Sequence, residues 1–259
     1  MSSDSSGGQI GTVSGLQSCD AWPLNDHPLV HRLCCSRNNT SLPSIGDFPE
    51  LPHDEADLRS YILKNARIAN CRSSGTLVEG KQRVAEIFAW TGVHGGAIGR
   101  RAVAGFIKGS RINVFGTYIH FNRKLSNPAK AAQYGVWLDL HANFFTGAID
   151  HIGAATIVHE MEHYYWDTKH TGKTFGELRA YLAGYLYLRE VGHSDNQIQT
   201  LLGEGDPTWI IGNWFCFKEA SDPNAGLIFS KWAMDALRPQ VGGKKSAEES
   251  RLPDYRTSS

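Results

Sequence analysis

Apolar residues recur every three to four positions over most of the chain after residue 52, which is the period of an amphipathic helix. This spacing predicts helices over residues 53–69, 77–90, 97–107, 150–167, 175–190, 194–202 and 226–237. In the middle of the chain the period changes to two, which predicts strands at residues 111–115, 117–121 and 135–141. Two short stretches are predicted to be a helical turn and a strand or buried loop, at residues 129–133 and 209–217. The pattern therefore indicates a mostly helical α+β domain with a small sheet.

Residues at the predicted helix ends support these boundaries. Asp150 is a candidate N-cap, and Gly192 has the position of a glycine that follows a helix C-terminus. Ser194 and Gln197 have the spacing of a capping box. Polar residues on the outer helix faces are expected in solvent, among them Arg100, Arg101 and Glu162.

Both ends of the chain lack a sustained period. Residues 1–15 are rich in Ser and Gly, which predicts a disordered leader. Residues 16–52 contain five prolines and scattered apolar residues, so we expect an extended arm along the domain. Residues 242–259 are polar and charged and predict a disordered tail. The folded domain is therefore predicted to span residues 53–241.

Composition and charge exclude several classes of function. The chain has 259 residues, of which 41% are hydrophobic, and this is enough for a sizeable core. Lys+Arg and Asp+Glu are equal at 26 each, so no net positive field indicates nucleic-acid binding. No apolar run is long enough for a membrane span, and the N-terminus lacks the features of a secretory signal. We therefore expect a cytoplasmic protein or one exported by a specialised secretion system.

The cysteines do not have the spacing of a zinc ribbon. There are five of them: Cys19, Cys34, Cys35, Cys71 and Cys216. Buried or free thiols in a reducing compartment are the favoured interpretation. A disulfide from Cys19 to Cys34 or Cys35 stays open as an alternative.

The helix predicted over residues 150–167 carries the sequence His-Glu-x-x-His. His159 and His163 are four positions apart, so their imidazoles lie on one helix face about one turn apart. Two such imidazoles can bind one Zn2+ ion at roughly 2.0–2.1 Å. Glu160 projects beside them, where a carboxylate can hold and deprotonate a metal-bound water. The alternative is an ordinary buried helix that contains two histidines.

This motif resembles that of the zincin metallopeptidases. The resemblance implies a mostly helical α+β domain with a small, mainly antiparallel sheet before the His-Glu-x-x-His helix. It also implies Zn2+ as the cofactor, a protein or peptide substrate, and an edge strand that binds the substrate backbone. The metzincin subclass has Gly three and His six residues after the second histidine, where this chain has Trp166 and Lys169. The resemblance is therefore to the gluzincins, in which a glutamate of the following helix binds the metal.

A catalytic zinc needs a third protein ligand. The downstream candidates are Glu177, Glu190, Glu204 and Glu219. Glu177 is favoured because it shares a helix face with Ala180 and Gly184, whose small side chains allow a close approach to the neighbouring helix. Thr174 and Glu177 also fit a capping box, in which the carboxylate would bind the backbone instead. Glu190 falls on nearly the opposite face of the same helix.

Three further side chains are considered for the site. Tyr181 shares the face of Glu177, and the resemblance implies that it binds the oxyanion of the reacting carbonyl. His151 lies two turns before His159 and is predicted to be too far away to bind the same ion. His120 is on a predicted strand that could border the cleft, so it is a weaker candidate for the oxyanion or for supporting a ligand.

The sequence as a whole predicts a zinc-dependent endopeptidase. A compact peptidase domain behind a Ser/Gly leader resembles the peptidase modules of secreted bacterial effectors and toxins. That resemblance implies a secretion apparatus or an immunity protein as further partners. Two alternatives remain: an intracellular housekeeping metallopeptidase, and a non-catalytic helical binding protein with an inactive zincin site.

Overall fold

The structure, a computed structural model, describes residues 50–72, 77–126, 128–131, 136–166 and 172–213. The elements in these residues are, in chain order, α1 (Glu55–Asn65), β1 (Ile68–Arg72), α2 (Leu77–His94), α3 (Gly96–Ile112), β2 (Thr117–Asn122), β3 (Ala129–Ala131), β4 (Trp137–His141), α4 (Asn143–Thr146), α5 (His151–Met161), a π-helical turn (Glu162–Trp166), α6 (Gly172–Glu190), α7 (Asp195–Leu202) and α8 (Pro207–Asn213). The predicted leader, the arm up to residue 49, the helix predicted over residues 226–237 and the tail lie outside the described residues.

The predicted fold class is confirmed, because the described chain is mixed α+β, mostly helical, with a small sheet. The four strands precede the His-Glu-x-x-His helix, and their order in the sheet is β1-β2-β4-β3. The expectation of a mainly antiparallel sheet is wrong. Among the described strands, β2 runs parallel to both β1 and β4, and β3 runs antiparallel to β4. Helices α2 and α3 return the chain between β1 and β2, and such a crossover is what a parallel pair requires.

Several predicted strand and helix boundaries are wrong for identifiable reasons. Helix α3 continues to Ile112, so residues 111–115 do not form a strand. The chain then turns at Gly116, whose φ of 81° is readily adopted only by glycine, and β2 begins at the next residue. Residues 129–131 form a strand rather than a helical turn, and residues 209–213 are helical rather than a strand or loop. Helix α1 ends at Asn65. The last two residues of its predicted range, 68 and 69, belong instead to β1, a strand that the sequence pattern does not predict.

Helix α5 is at the centre of the described fold, in contact with α3, α6 and β3. It begins where the sequence predicts, because the Asp150 side chain accepts a hydrogen bond from the Gly153 N–H at 2.7 Å. Helix α6 packs closely against it. A Cβ added to Gly184 would lie 3.3 Å from the carbonyl oxygen of Ala155, and Ala180 is fully buried. The small residues therefore permit the predicted close approach of these two helices.

Arg101 and Glu162 form a buried ion pair, although both were expected to face solvent. The Arg101 Nε lies 3.8 Å from Glu162 Oε1, and the two side chains are only 6% and 5% exposed. The pair joins α3 to the π-helical turn that follows α5. The helical period alone does not reveal it, because α5 and its continuation contact other elements on most sides.

Arg101→Ala is expected to lower the free energy of unfolding by about 3–5 kcal/mol, because it removes the cation beside a buried carboxylate. Urea denaturation measures the change. The double variant Arg101→Met/Glu162→Leu removes both charges and should recover much of this loss. A single variant as stable as the wild type would show that the pair does not support the fold.

The described residues include one cysteine, Cys71, which is free and buried on β1. Burial raises the pKa of its thiol to about 11, although nearby Lys81 acts in the opposite direction. For this residue the prediction of a buried, free thiol is confirmed. The other four cysteines lie outside the described residues. No helix among the described residues has the length and apolar composition that a membrane-spanning helix requires.

Candidate metal centre

The two histidines of the motif lie on consecutive turns at the end of α5. His159 is in the last turn of the α-helix, and His163 is in the π-helical turn that continues it. Tyr164 holds this turn, because its hydroxyl forms a hydrogen bond with the Thr117 hydroxyl on β2 and its ring is fully buried. Single π-helical turns inside helices occur frequently at functional sites.

Glu177 of α6 completes a compact triad with these histidines. The Nε2 atoms of His159 and His163 are 3.2 Å apart. Glu177 Oε2 lies 3.5 Å from the first and 3.4 Å from the second. Donor atoms of a tetrahedral zinc with bonds of roughly 2.0–2.1 Å lie about 3.3 Å from one another. The three donors are thus spaced as a tetrahedral zinc requires, and two imidazoles with one carboxylate are a known catalytic zinc set.

Other uses for Glu177 and other candidates for its place do not fit the structure. Helix α6 begins at Gly172, so Thr174 is inside the first turn and is not an N-cap. Glu190 instead caps α3, because its carboxylate accepts hydrogen bonds from the N–H groups of Ala97 and Ile98 at 2.7 and 2.9 Å. Glu204 is exposed and accepts a hydrogen bond from Gln199. Glu219 lies outside the described residues.

The electrostatics of Glu177 favour its charged form. Burial alone would raise the pKa of this carboxyl group. Hydrogen bonds to His159 and His163 and the charges of these two imidazoles outweigh burial, and they hold its pKa well below the usual range. An ionised carboxylate is the form that binds a metal ion.

Glu160 occupies a different environment beside the triad. It is 8% exposed, and its Oε2 accepts a hydrogen bond from the N–H of Ala131 on β3 at 2.7 Å. Burial raises the pKa of Glu160, and the nearby His159, His163 and Ala131 N–H oppose this rise. The site therefore holds two carboxylates whose pKa values shift in opposite directions, a pattern that is common where one residue binds and the other transfers a proton.

Tyr181 lies where the sequence predicts, one turn after Glu177 on α6. Its ring centroid is 4.5 Å from that of His159, with the rings in an edge-on arrangement. Burial and the neighbouring carboxylates of Glu177, Asp206 and Glu160 raise the pKa of its hydroxyl to about 12. The hydroxyl is therefore protonated at neutral pH and can donate a hydrogen bond in the site.

The two other histidines considered from the sequence are not part of the triad. His151, at the start of α5, forms a hydrogen bond of 3.1 Å with the Tyr187 hydroxyl, so it lies apart from the triad as expected. His120 is on β2, where its Nδ1 lies 3.5 Å from Asp139. Sequence reasoning missed the contact between Ala131 and Glu160, because a backbone donor carries no signal in the sequence.

Comparisons with known proteins do not assign this chain to a family. Comparison of the chain with protein-family models, with curated proteins and with solved structures found no match. The resemblance to gluzincins therefore stays a prediction that depends on the motif. The chemistry of the site has to be inferred from the arrangement of His159, Glu160, His163, Glu177 and Tyr181.

Proposed function

We propose that this chain is a zinc-dependent peptide-bond hydrolase whose zinc ligands are His159, His163 and Glu177. The observation that supports this most strongly is the triangle of donor atoms, with sides of 3.2, 3.5 and 3.4 Å. Two residues four apart on one helix and one from the next helix converge on a single point. Three protein ligands leave one position for water, as in catalytic rather than structural zinc sites.

A Zn2+ ion bound there would supply positive charge that polarises the scissile carbonyl and acidifies a water. Glu160 accepts the proton of the attacking water and transfers it to the leaving amine. Its burial supports this role, because a raised pKa brings the carboxyl group nearer to the pH at which it must both accept and release a proton. Tyr181 donates a hydrogen bond from its hydroxyl group to the carbonyl oxygen as negative charge develops there.

A protein or peptide substrate fits the position of β3. This strand is at the edge of the sheet that the described strands form, and its last residue contacts Glu160. An extended peptide added along such an edge would place a backbone amide beside the general base. We therefore propose peptide bonds, rather than the bonds of a small-molecule substrate, as the target.

Metal analysis and an activity assay test the proposal directly. The purified chain is expected to contain about one zinc per molecule and to cleave a random-sequence library of fluorescence-quenched peptides. A zinc chelator should abolish cleavage, and added zinc should restore it. His159→Ala should lose the metal. A folded wild-type protein that binds no zinc would refute the proposal and favour the non-catalytic alternative.

Tyr181→Phe is expected to lower kcat about 100-fold, because the variant keeps the ring and removes one hydrogen-bond donor to the oxyanion. KM and zinc content should change little. Steady-state kinetics on a peptide selected from the library would measure the effect. Tyr61→Phe, on α1, is a control for the loss of a tyrosine hydroxyl outside the site. If Tyr181→Phe keeps the wild-type kcat, this tyrosine does not stabilise the transition state.

A further inference from the structure

The edge of β3 that pairs with no other described strand faces α5 and the candidate metal centre. β3 is the last strand of the sheet order and pairs with β4. The N–H of His141 donates to the carbonyl oxygen of Pro128 at 2.7 Å, so these two residues occupy a hydrogen-bonded position of the antiparallel pair. Such positions alternate along the strand. Ala129 and Ala131 therefore direct their peptide groups away from β4, towards the outer side of the strand.

One of these outward groups binds the general base. The Ala131 N–H donates to Glu160 Oε2 at 2.7 Å, at the short end of the range for such hydrogen bonds. Glu160 is 8% exposed, so little water is available to replace this donor. Because Glu160 directly follows His159 in α5, this hydrogen bond connects the sheet edge to the residues of the metal triad.

We propose that the peptide N–H of Ala131 is a positioning group that orients the carboxylate of Glu160 for proton transfer. This inference rests on the proposed hydrolase function. The terminal torsion of a glutamate side chain has broad minima, so packing alone does not fix the direction of its two oxygens. With Oε2 held by Ala131, Oε1 is the oxygen that accepts the proton of the attacking water. The strand thus acts on the reaction through its backbone.

A backbone donor is removed by proline and kept by other substitutions. An edge strand tolerates proline where the N–H points away from its partner, as at Ala131. Ala131→Pro is expected to lower kcat about 10- to 100-fold, because small displacements of a reacting group have effects of this size. Zinc content should be unchanged, because Ala131 is not one of the three converging donors. Ala131→Gly keeps the N–H, so it should lower kcat far less than Ala131→Pro does.

A double-variant cycle separates positioning from a general loss of structure. If Ala131 acts through the Glu160 carboxylate, Ala131→Pro should not lower the residual kcat of Glu160→Gln any further. If the two losses multiply, the strand acts independently of Glu160, and the inference is refuted. If Ala131→Pro does not fold, a backbone ester at position 131 replaces this N–H by an oxygen atom and removes the same donor without adding a ring. The ester is expected to lower kcat by the same factor as Ala131→Pro.

An activity-independent measurement examines the hydrogen bond itself. The amide proton of Ala131 should exchange slowly with solvent in the wild type and in Glu160→Gln, and faster in Glu160→Ala. Equal exchange rates in all three proteins would overturn the inference. The two proposals fail in different ways. An inactive wild-type protein refutes the hydrolase, whereas an active one whose kcat does not depend on the Ala131 N–H refutes only the positioning role.

Discussion

Glu160→Gln is expected to lower kcat for peptide cleavage about a thousandfold, the middle of the range for loss of a general acid–base. Glutamine has nearly the same shape and can accept the Ala131 hydrogen bond through its carbonyl oxygen, so the fold should be kept. It cannot take a proton from water at neutral pH. Zinc content should stay at about one per chain, because Glu160 is not one of the three converging donors.

Steady-state kinetics and metal analysis on the same preparation give the two readouts. Glu204→Gln, an exposed residue outside the site, is the matched control and should have the wild-type kcat. If Glu160→Gln cleaves peptides at the wild-type rate, another group is the base. If it loses zinc as well as activity, Glu160 supports the metal site instead of transferring a proton.

The parts of the fold that local sequence signals specify were predicted. Asp150 caps α5 as expected, and Ser194 with Gln197 forms the predicted capping box of α7. Gly192 has a φ of 96° after the end of α6, as a C-terminal glycine should. The spacing of His159 and His163 also made their convergence predictable. In all these cases the interacting residues are within a few positions of one another, so one stretch of sequence contains the whole interaction.

The parts that depend on distant partners were not predicted. The parallel pairing of β1 with β2 needs two intervening helices, and nothing within either strand encodes it. The burial of Arg101 depends on Glu162, 61 positions later and on another element. A side chain that pairs with a distant residue has the same local pattern as one that faces solvent. The antiparallel sheet was inferred from family resemblance, and the strand pairing in this chain is different.

The assignment of Glu177 over Glu190 lies between these two cases. Both are on α6, and sequence periodicity correctly placed them on different faces. Which groups each carboxylate contacts is known only from the structure. Glu190 stabilises the positive N-terminal end of α3 through two backbone N–H groups, whereas Glu177 meets two imidazoles. Two glutamates on one helix thus have different roles, so the same substitution at each of them makes a matched comparison.

Glu177→Gln is expected to weaken zinc binding by at least about 100-fold, since losing a residue that merely supports a ligand costs about 10–100-fold. Glutamine keeps the length of the side chain and removes its negative charge. Competition with a chelating indicator measures the affinity, and the melting temperature of the variant should respond less to added zinc than that of the wild type.

Glu190→Gln makes the same chemical change on the same helix and should have the opposite outcome. It should keep wild-type zinc affinity and lose about 1 kcal/mol or less of stability, because the charge at the N-terminus of α3 is removed from an exposed position. If Glu177→Gln keeps zinc, the converging triangle is not the metal site. If both variants lose zinc, α6 affects the site through its overall packing, and the role of Glu177 as a direct ligand would have to be abandoned.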